Sequence, residues 1–250
     1  MKQIYLGLLL ISTFIFVGCS EKIGDKFYPS ENYVIRYQNP QSSYAAVYGS
    51  IDEYPVPSQS VVQFIINLRV TESTVNSHRY DIIDRQTDAT KFKELAQKFN
   101  DTEYNKINYA PPPPMMYVQS ESLNIVSDQD YDATHPAGSS LNDLFLVKYT
   151  CVDHILQNHY DMTPTEQQME LRLAPWEFME SVDAFNQKQP TLVGFDFWFY
   201  PTERPTGNKQ HRFTITYKNV EGKELVATTL PVLILEQEEE KSERIIINFF

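Results

Sequence analysis

Apolar residues at every second position constrain this chain more than any other feature, because a strand with one buried face requires a period of two. The clearest run is Val62, Phe64, Ile66, Leu68 and Val70, with Gln63, Asn67 and Arg69 opposite. Equivalent faces recur in Phe145, Val147, Tyr149 and Cys151, in Phe195, Phe197 and Phe199, and in Phe213, Ile215 and Tyr217. His211 to Lys218 and Lys223 to Leu230 flank Asn219-Val220-Glu221-Gly222, where glycine accepts the positive φ of a short hairpin loop. Tyr44 to Ile51, Arg79 to Ile83, Met116 to Val126 and Arg244 to Phe250 are further candidate strands. The pattern predicts a mainly β fold: an antiparallel β-sandwich, immunoglobulin-like or related, with one or two short inserted helices.

Helical spacing is rarer. Phe92, Leu95, Ala96 and Phe99 follow the i, i+3, i+4, i+7 rule, and Asp88 or Thr90 can cap the start. Pro175 is placed to open a second short helix whose Phe178, Val182 and Phe185 share a face. Thr163-Pro164-Thr165-Glu166 matches a capping box, yet Met169, Leu171 and Leu173 then alternate as a strand does, so the stretch fits either helix or strand, with strand favoured.

The N-terminus carries a second kind of signal. Lys2 leads an apolar run from Ile4 to Val17, too short for a spanning helix, which needs about 20 apolar residues. The run ends at Phe16-Val17-Gly18-Cys19, which resembles the lipobox of bacterial lipoproteins, with Phe16 in place of the usual branched aliphatic. The resemblance implies that residues 1–18 are a cleaved signal peptide and that the Cys19 sulfur carries a diacylglycerol, its new α-amine being acylated. Two or three acyl chains hold a protein on a bilayer almost permanently, since each buried methylene contributes about 0.8 kcal/mol. Ser20 in place of Asp is similar to lipoproteins sent to the outer membrane, and Ser20-Glu21 resembles the start of the surface-export signal of Bacteroidales-type lipoproteins, interrupted by Lys22.

Residues 19–32 then serve as a lipidated tether and residues 33–250 as the β-sandwich, with a split near Pro111 to Pro114 as the alternative, since four consecutive prolines cannot sit inside a sheet. The formal net charge of −12 repels nucleic acid, so no nucleic-acid partner is expected. Of the two cysteines, lipidation of Cys19 leaves Cys151 alone, and no intrachain disulfide can form. The fold must rest on its core, for which aromatic residues, 13% of the chain, supply large buried areas.

Motifs of catalysis are thin. Asp128, Asp130 and Asp132 have the D-x-D-x-D spacing of a calcium loop, but Ala133 and Ser139 occupy the positions where such a loop wants Gly and Glu. A solvated acidic loop from Asp128 to Asn142 is the favoured reading, with calcium as the weak alternative. His154 and His159, with Asp153 and Asp161, lie at a spacing that no regular element aims at one metal. The chain has no HExxH, GxSxG or phosphate-binding glycine loop, and no cofactor is expected. Cys151 lies on an apolar strand face and reads as a buried, inert thiol.

Phe195-Asp196-Phe197-Trp198-Phe199-Tyr200 is the strongest candidate for a ligand surface. With the phenylalanines in the core, Asp196, Trp198 and Tyr200 share the opposite face, where rings and a carboxylate can meet a sugar or a protein. The competing reading is that a second layer, such as the helix around Phe92 to Phe99, covers that face. Glu236 to Glu240 reads as a solvated turn.

Ser122 to Ser127, Asp130-Tyr131-Asp132 and His135 to Phe145, with the hairpin at Gly222, resemble the uncharacterised domain-of-unknown-function lipoproteins of Bacteroidales-type bacteria. That resemblance implies an anchored β-rich domain and transfers no catalytic residue. The expected function is a non-enzymatic binding or assembly module anchored at the outer membrane, facing a glycan or protein ligand. The alternatives are an anchored hydrolase of extracellular polymers and a structural subunit of a surface appendage, whose Arg244 to Phe250 strand would pair with another chain.

Overall fold

A computed structural model describes residues 29–49, 60–61, 64–71, 82–107, 112–161, 177–194 and 196–235. In chain order its strands are β1 (Tyr37–Gln38), β2 (Ser42–Tyr48), β3 (Ser60–Val61), β4 (Ile65–Thr71), β5 (Met115–Met116), β6 (Ser120–Ser127), β7 (Phe145–Thr150), β8 (Glu177–Ser181), β9 (Asp196–Pro201), β10 (Lys209–His211), β11 (Phe213–Asn219), β12 (Glu224–Thr228) and β13 (Val232–Ile234). The helices are α1 (Ala89–Lys98), α2 (Asp153–Gln157) and α3 (Val182–Lys188), with a 3-10 turn at Asn142–Leu144.

An antiparallel sheet in the order β2-β4-β9-β7-β8 forms one layer of the sandwich, and an antiparallel β12-β11-β6 sheet with a small β10-β13-β3 sheet opposes it. The predicted alternation sets which side chains meet. Ile66, Leu68, Phe145, Val147, Phe197 and Phe199 from the first layer join Leu123, Ile125, Phe213, Ile215 and Tyr217 from the second in one buried cluster. Phe197 lies 5.9 Å from the Tyr217 ring and Phe145 lies 6.3 Å from Phe213, so aromatic pairs bridge the layers. Each such residue contributes about 1.5–3 kcal/mol by burial, which lets the core hold without a disulfide. Strands from both sides of the Pro111 to Pro114 run share the larger sheet.

The expected hairpin forms between β11 and β12, and Gly222 takes φ +83°. Asn219 closes the turn through Oδ1, which accepts the Glu221 and Lys223 N–H groups at 3.1 and 2.9 Å. The helix around Phe92 also forms, capped by Asp88, whose carboxylate accepts the Lys91 N–H at 2.9 Å. It buries Phe92, Leu95 and Ala96 in a second cluster with Tyr33, Val34, Tyr37, Ile155, Leu156 and Tyr160.

A buried carboxylate ties that second cluster together. Asp101 is fully buried and accepts the Tyr33 and Val34 N–H groups at 2.8 Å each and the Tyr160 hydroxyl at 2.9 Å. Burial raises its pKa. The Asn32 amide also donates to the Asp101 carbonyl, and Ser30 N–H donates to Lys106 O at 2.8 Å, so the docked chain extends back into the expected tether.

Other expectations need correction. Pro175 lies outside the described residues, and Phe178 does not share a helix with Val182 and Phe185: Glu177–Ser181 is strand β8, paired along its length with β7, and the helix begins at Val182, where Ser181 Oγ accepts the Ala184 N–H at 3.2 Å. The partner strand supplies Phe178 with a stack on Tyr149 at 5.6 Å, which outweighs its helical spacing. The expected Met116 to Val126 strand is interrupted, Met115–Met116 pairing with β1 and Ser120–Ser127 with β11. His154 stands in α2, a helix that the sequence reading passed over, and His159 follows it at φ +52°. Cys19, Phe195, Thr163 to Leu173, Glu236 to Glu240 and Arg244 to Phe250 lie outside the described residues.

Candidate functional site: the outer face of the larger sheet

Alternation along β9 sends Phe197 and Phe199 into the core, so Asp196, Trp198 and Tyr200 point the other way and stand half-buried. The cross-strand register sets their neighbours. Trp198 is flanked by Asn67 of β4 and Lys148 of β7, with Ala46 and Met179 continuing the row on either side. Tyr200 lies beside Leu146, and Asp196 beside Arg69, whose other neighbour is Tyr44. Met179 and Tyr44 are 57% and 47% exposed, which makes this a wetted face with apolar side chains on it.

The rings and charges on this face hold one another. The Tyr48 ring of β2 lies 5.3 Å from Trp198 and is tilted by 59° to it. Arg69 donates from Nε and Nη2 to the two Asp196 oxygens at 2.7 and 2.8 Å, a two-pronged geometry that fixes both side chains. That hydrogen bond raises the Arg69 pKa further. Asn67, itself buried, donates to Phe197 O at 3.1 Å and to Asp196 Oδ1 at 3.3 Å. Lys148 pairs with Glu177 at 2.8 Å across β7 and β8. Partial burial raises the pKa of the Tyr48 and Tyr200 hydroxyls, so both stay neutral donors at physiological pH.

The three residues singled out in the sequence therefore share one face, yet Asp196 is already committed to Arg69. What the face offers a ligand is the Trp198 and Tyr200 rings, the hydroxyls of Tyr44 and Tyr48, and the outer edges of two ion pairs. Helix α1 packs in the other cluster, against Tyr37, and its Phe92 ring lies 5.4 Å from the Tyr37 ring.

The acidic loop is built differently from a cation site. Asp128 Oδ1 accepts the Arg212 N–H at 2.7 Å, Asp130 Oδ1 accepts the Ala137 N–H at 2.9 Å, and Asp132 Oδ1 accepts the Thr134 and His135 N–H groups at 2.7 and 2.9 Å. Each carboxylate thus organises a different stretch of backbone. Among the described residues no group of three His, Cys, Asp or Glu side chains is placed to hold a metal ion. The sequence reading missed His135, which lies between Asp132 at 2.8 Å and Asp143 at 3.2 Å; its hydrogen bond to Asp132 raises its pKa. The Asp132-x-x-His135 spacing was the available signal. Cys151 is buried, and burial pushes its thiol pKa well above the usual range.

Comparison of the chain with protein-family models, with curated proteins and with solved structures gives no match.

Proposed function

We propose that this protein is a non-enzymatic binding module anchored at the bacterial outer membrane through Cys19, and that its ligand, an extracellular or envelope glycan, meets the outer face of the larger sheet at Trp198. One observation carries the reading: Trp198 and Tyr200 face away from the core that Phe197 and Phe199 fill, and remain half-exposed among fixed polar partners. An amphipathic ring held beside oriented donors and acceptors is the chemistry with which proteins stack on and bond to sugars. The negative net charge disfavours polyanions as partners.

Affinity electrophoresis through gels containing neutral polysaccharides tests the reading. Retardation of the wild-type chain that is reduced in Trp198→Ala, with the melting temperature within a few degrees of wild type, is the expected result. A large fall in melting temperature for Trp198→Ala, or retardation equal to that of the wild type, would remove Trp198 from the ligand surface.

A further inference from the structure

Five segments remote in sequence line a groove of about 490 Å3. The C-terminal end of α1 contributes Phe99 and Asn100, α2 contributes Asp153 and Gln157, and the approach to β6 contributes Gln119. From the chemistry of this lining we propose a second ligand site, distinct from the Trp198 face, that takes a neutral saccharide of one or two rings.

The side chains decide the ligand class. Asn100 and Gln157 are exposed and end in amides, groups that donate and accept at once, as sugar hydroxyls do; Gln119 is exposed too, but its Nε2 already donates to Gln189 O at 2.6 Å. Phe99 is half-buried beside them, its ring stacked on Tyr37 at 5.9 Å with Lys98 Nζ 5.1 Å from its centroid, and so fixed in orientation with its edge toward the groove amides. A ring edged by amides and a carboxylate is a saccharide-binding set, and a volume of several hundred Å3 is that of a small-molecule site. Anions fit poorly. Lys98 is the cation in the lining, and its Nζ already donates to Tyr117 O at 2.8 Å, while Asp153 and Glu221 add negative charge. Asp153 Oδ2 accepts the Thr191 N–H at 2.8 Å, which fixes that carboxylate.

The backbone favours a clean test. Asn100 sits at φ +56°, a left-handed conformation that glycine adopts at no steric cost, so Asn100→Gly removes the amide without straining the chain. Gln157 is the exposed last residue of α2, and Gln157→Ala keeps helix propensity. The whole detergent-extracted chain is titrated calorimetrically with cellohexaose, mannohexaose, xylohexaose and chitohexaose, and with oligogalacturonate as an anionic control. The expected result is binding of at least one neutral oligosaccharide, weakened about tenfold or more in Asn100→Gly/Gln157→Ala, as loss of one or two hydrogen bonds implies, at an unchanged melting temperature. The same binding component persists in Trp198→Ala, which separates this site from the sheet face. Absence of binding by every neutral probe, preference for oligogalacturonate, or binding that the double substitution leaves intact would overturn the proposal.

Discussion

Arg69 and Asp196, distant in sequence, face each other across β4 and β9 and share two hydrogen bonds of 2.7 and 2.8 Å. The pairing takes Asp196 out of the set of free acceptors and makes it a brace for the strand that carries Trp198. Replacing both residues with alanine, singly and together, is expected to give a coupling energy of about 0.2–1 kcal/mol in a double-mutant cycle, the value of a partly exposed ion pair. Ligand retention is expected to fall less in Asp196→Asn than in Trp198→Ala.

Asp101 is expected to be among the most sensitive positions in the second cluster. Asp101→Ala strands the Tyr33 and Val34 N–H groups and the Tyr160 hydroxyl in a buried setting. Unsatisfied donors cost about 1–3 kcal/mol each, so urea denaturation should record a loss of about 3 kcal/mol or more. Tyr160→Phe removes a single donor and is expected to cost about 1 kcal/mol, most of the difference from Asp101→Ala belonging to the docked N-terminal segment.

Two histidines give stability opposite dependences on pH. His211 is fully buried, shares a hydrogen bond with Ser127 Oγ at 2.9 Å, and is held neutral because burial lowers its pKa. The unfolded chain takes up that proton near pH 6.5, so the His211 contribution is lost as pH falls below about 6.5. His135 is the reverse: the bond to Asp132 raises its pKa, and its contribution is full below about pH 6.5 and lost as pH rises through the raised value. Urea midpoints measured across pH 5 to 8 should show His211→Asn flattening the acid limb and His135→Asn the alkaline limb. Equal slopes in both variants and wild type would contradict the assignment.

Gly222 isolates a backbone effect. A Cβ built there meets nothing within 4 Å, so Gly222→Ala tests the φ of +83° alone. A destabilisation of about 1 kcal/mol is expected, with the β11–β12 register unchanged in amide exchange.

The sheet layers and the outward set on β9 were legible because a period of two assigns each residue to a face without knowledge of its partner strand. Partners were not legible. Arg69 reaches Asp196 across 127 positions and Asp101 reaches Tyr33 across 68, and neither separation leaves a local pattern. Phe178, Val182 and Phe185 satisfy a helical spacing although Phe178 belongs to β8, because pairing with β7 overrides local spacing. Helix α2 is only 5 residues long, too short to impose a periodicity. The groove at Asn100 assembles from segments remote in sequence, each bland by itself.

Tryptophan fluorescence tests the central claim most directly, since the chain has only 2 tryptophans and Trp176→Phe leaves Trp198 as the sole reporter. Titration of that variant with a polysaccharide that retards the wild-type chain is expected to shift the Trp198 emission and to protect it from acrylamide quenching. Saturable binding with the emission and quenching of Trp198 unchanged would contradict a ligand surface on the outer face of the sheet.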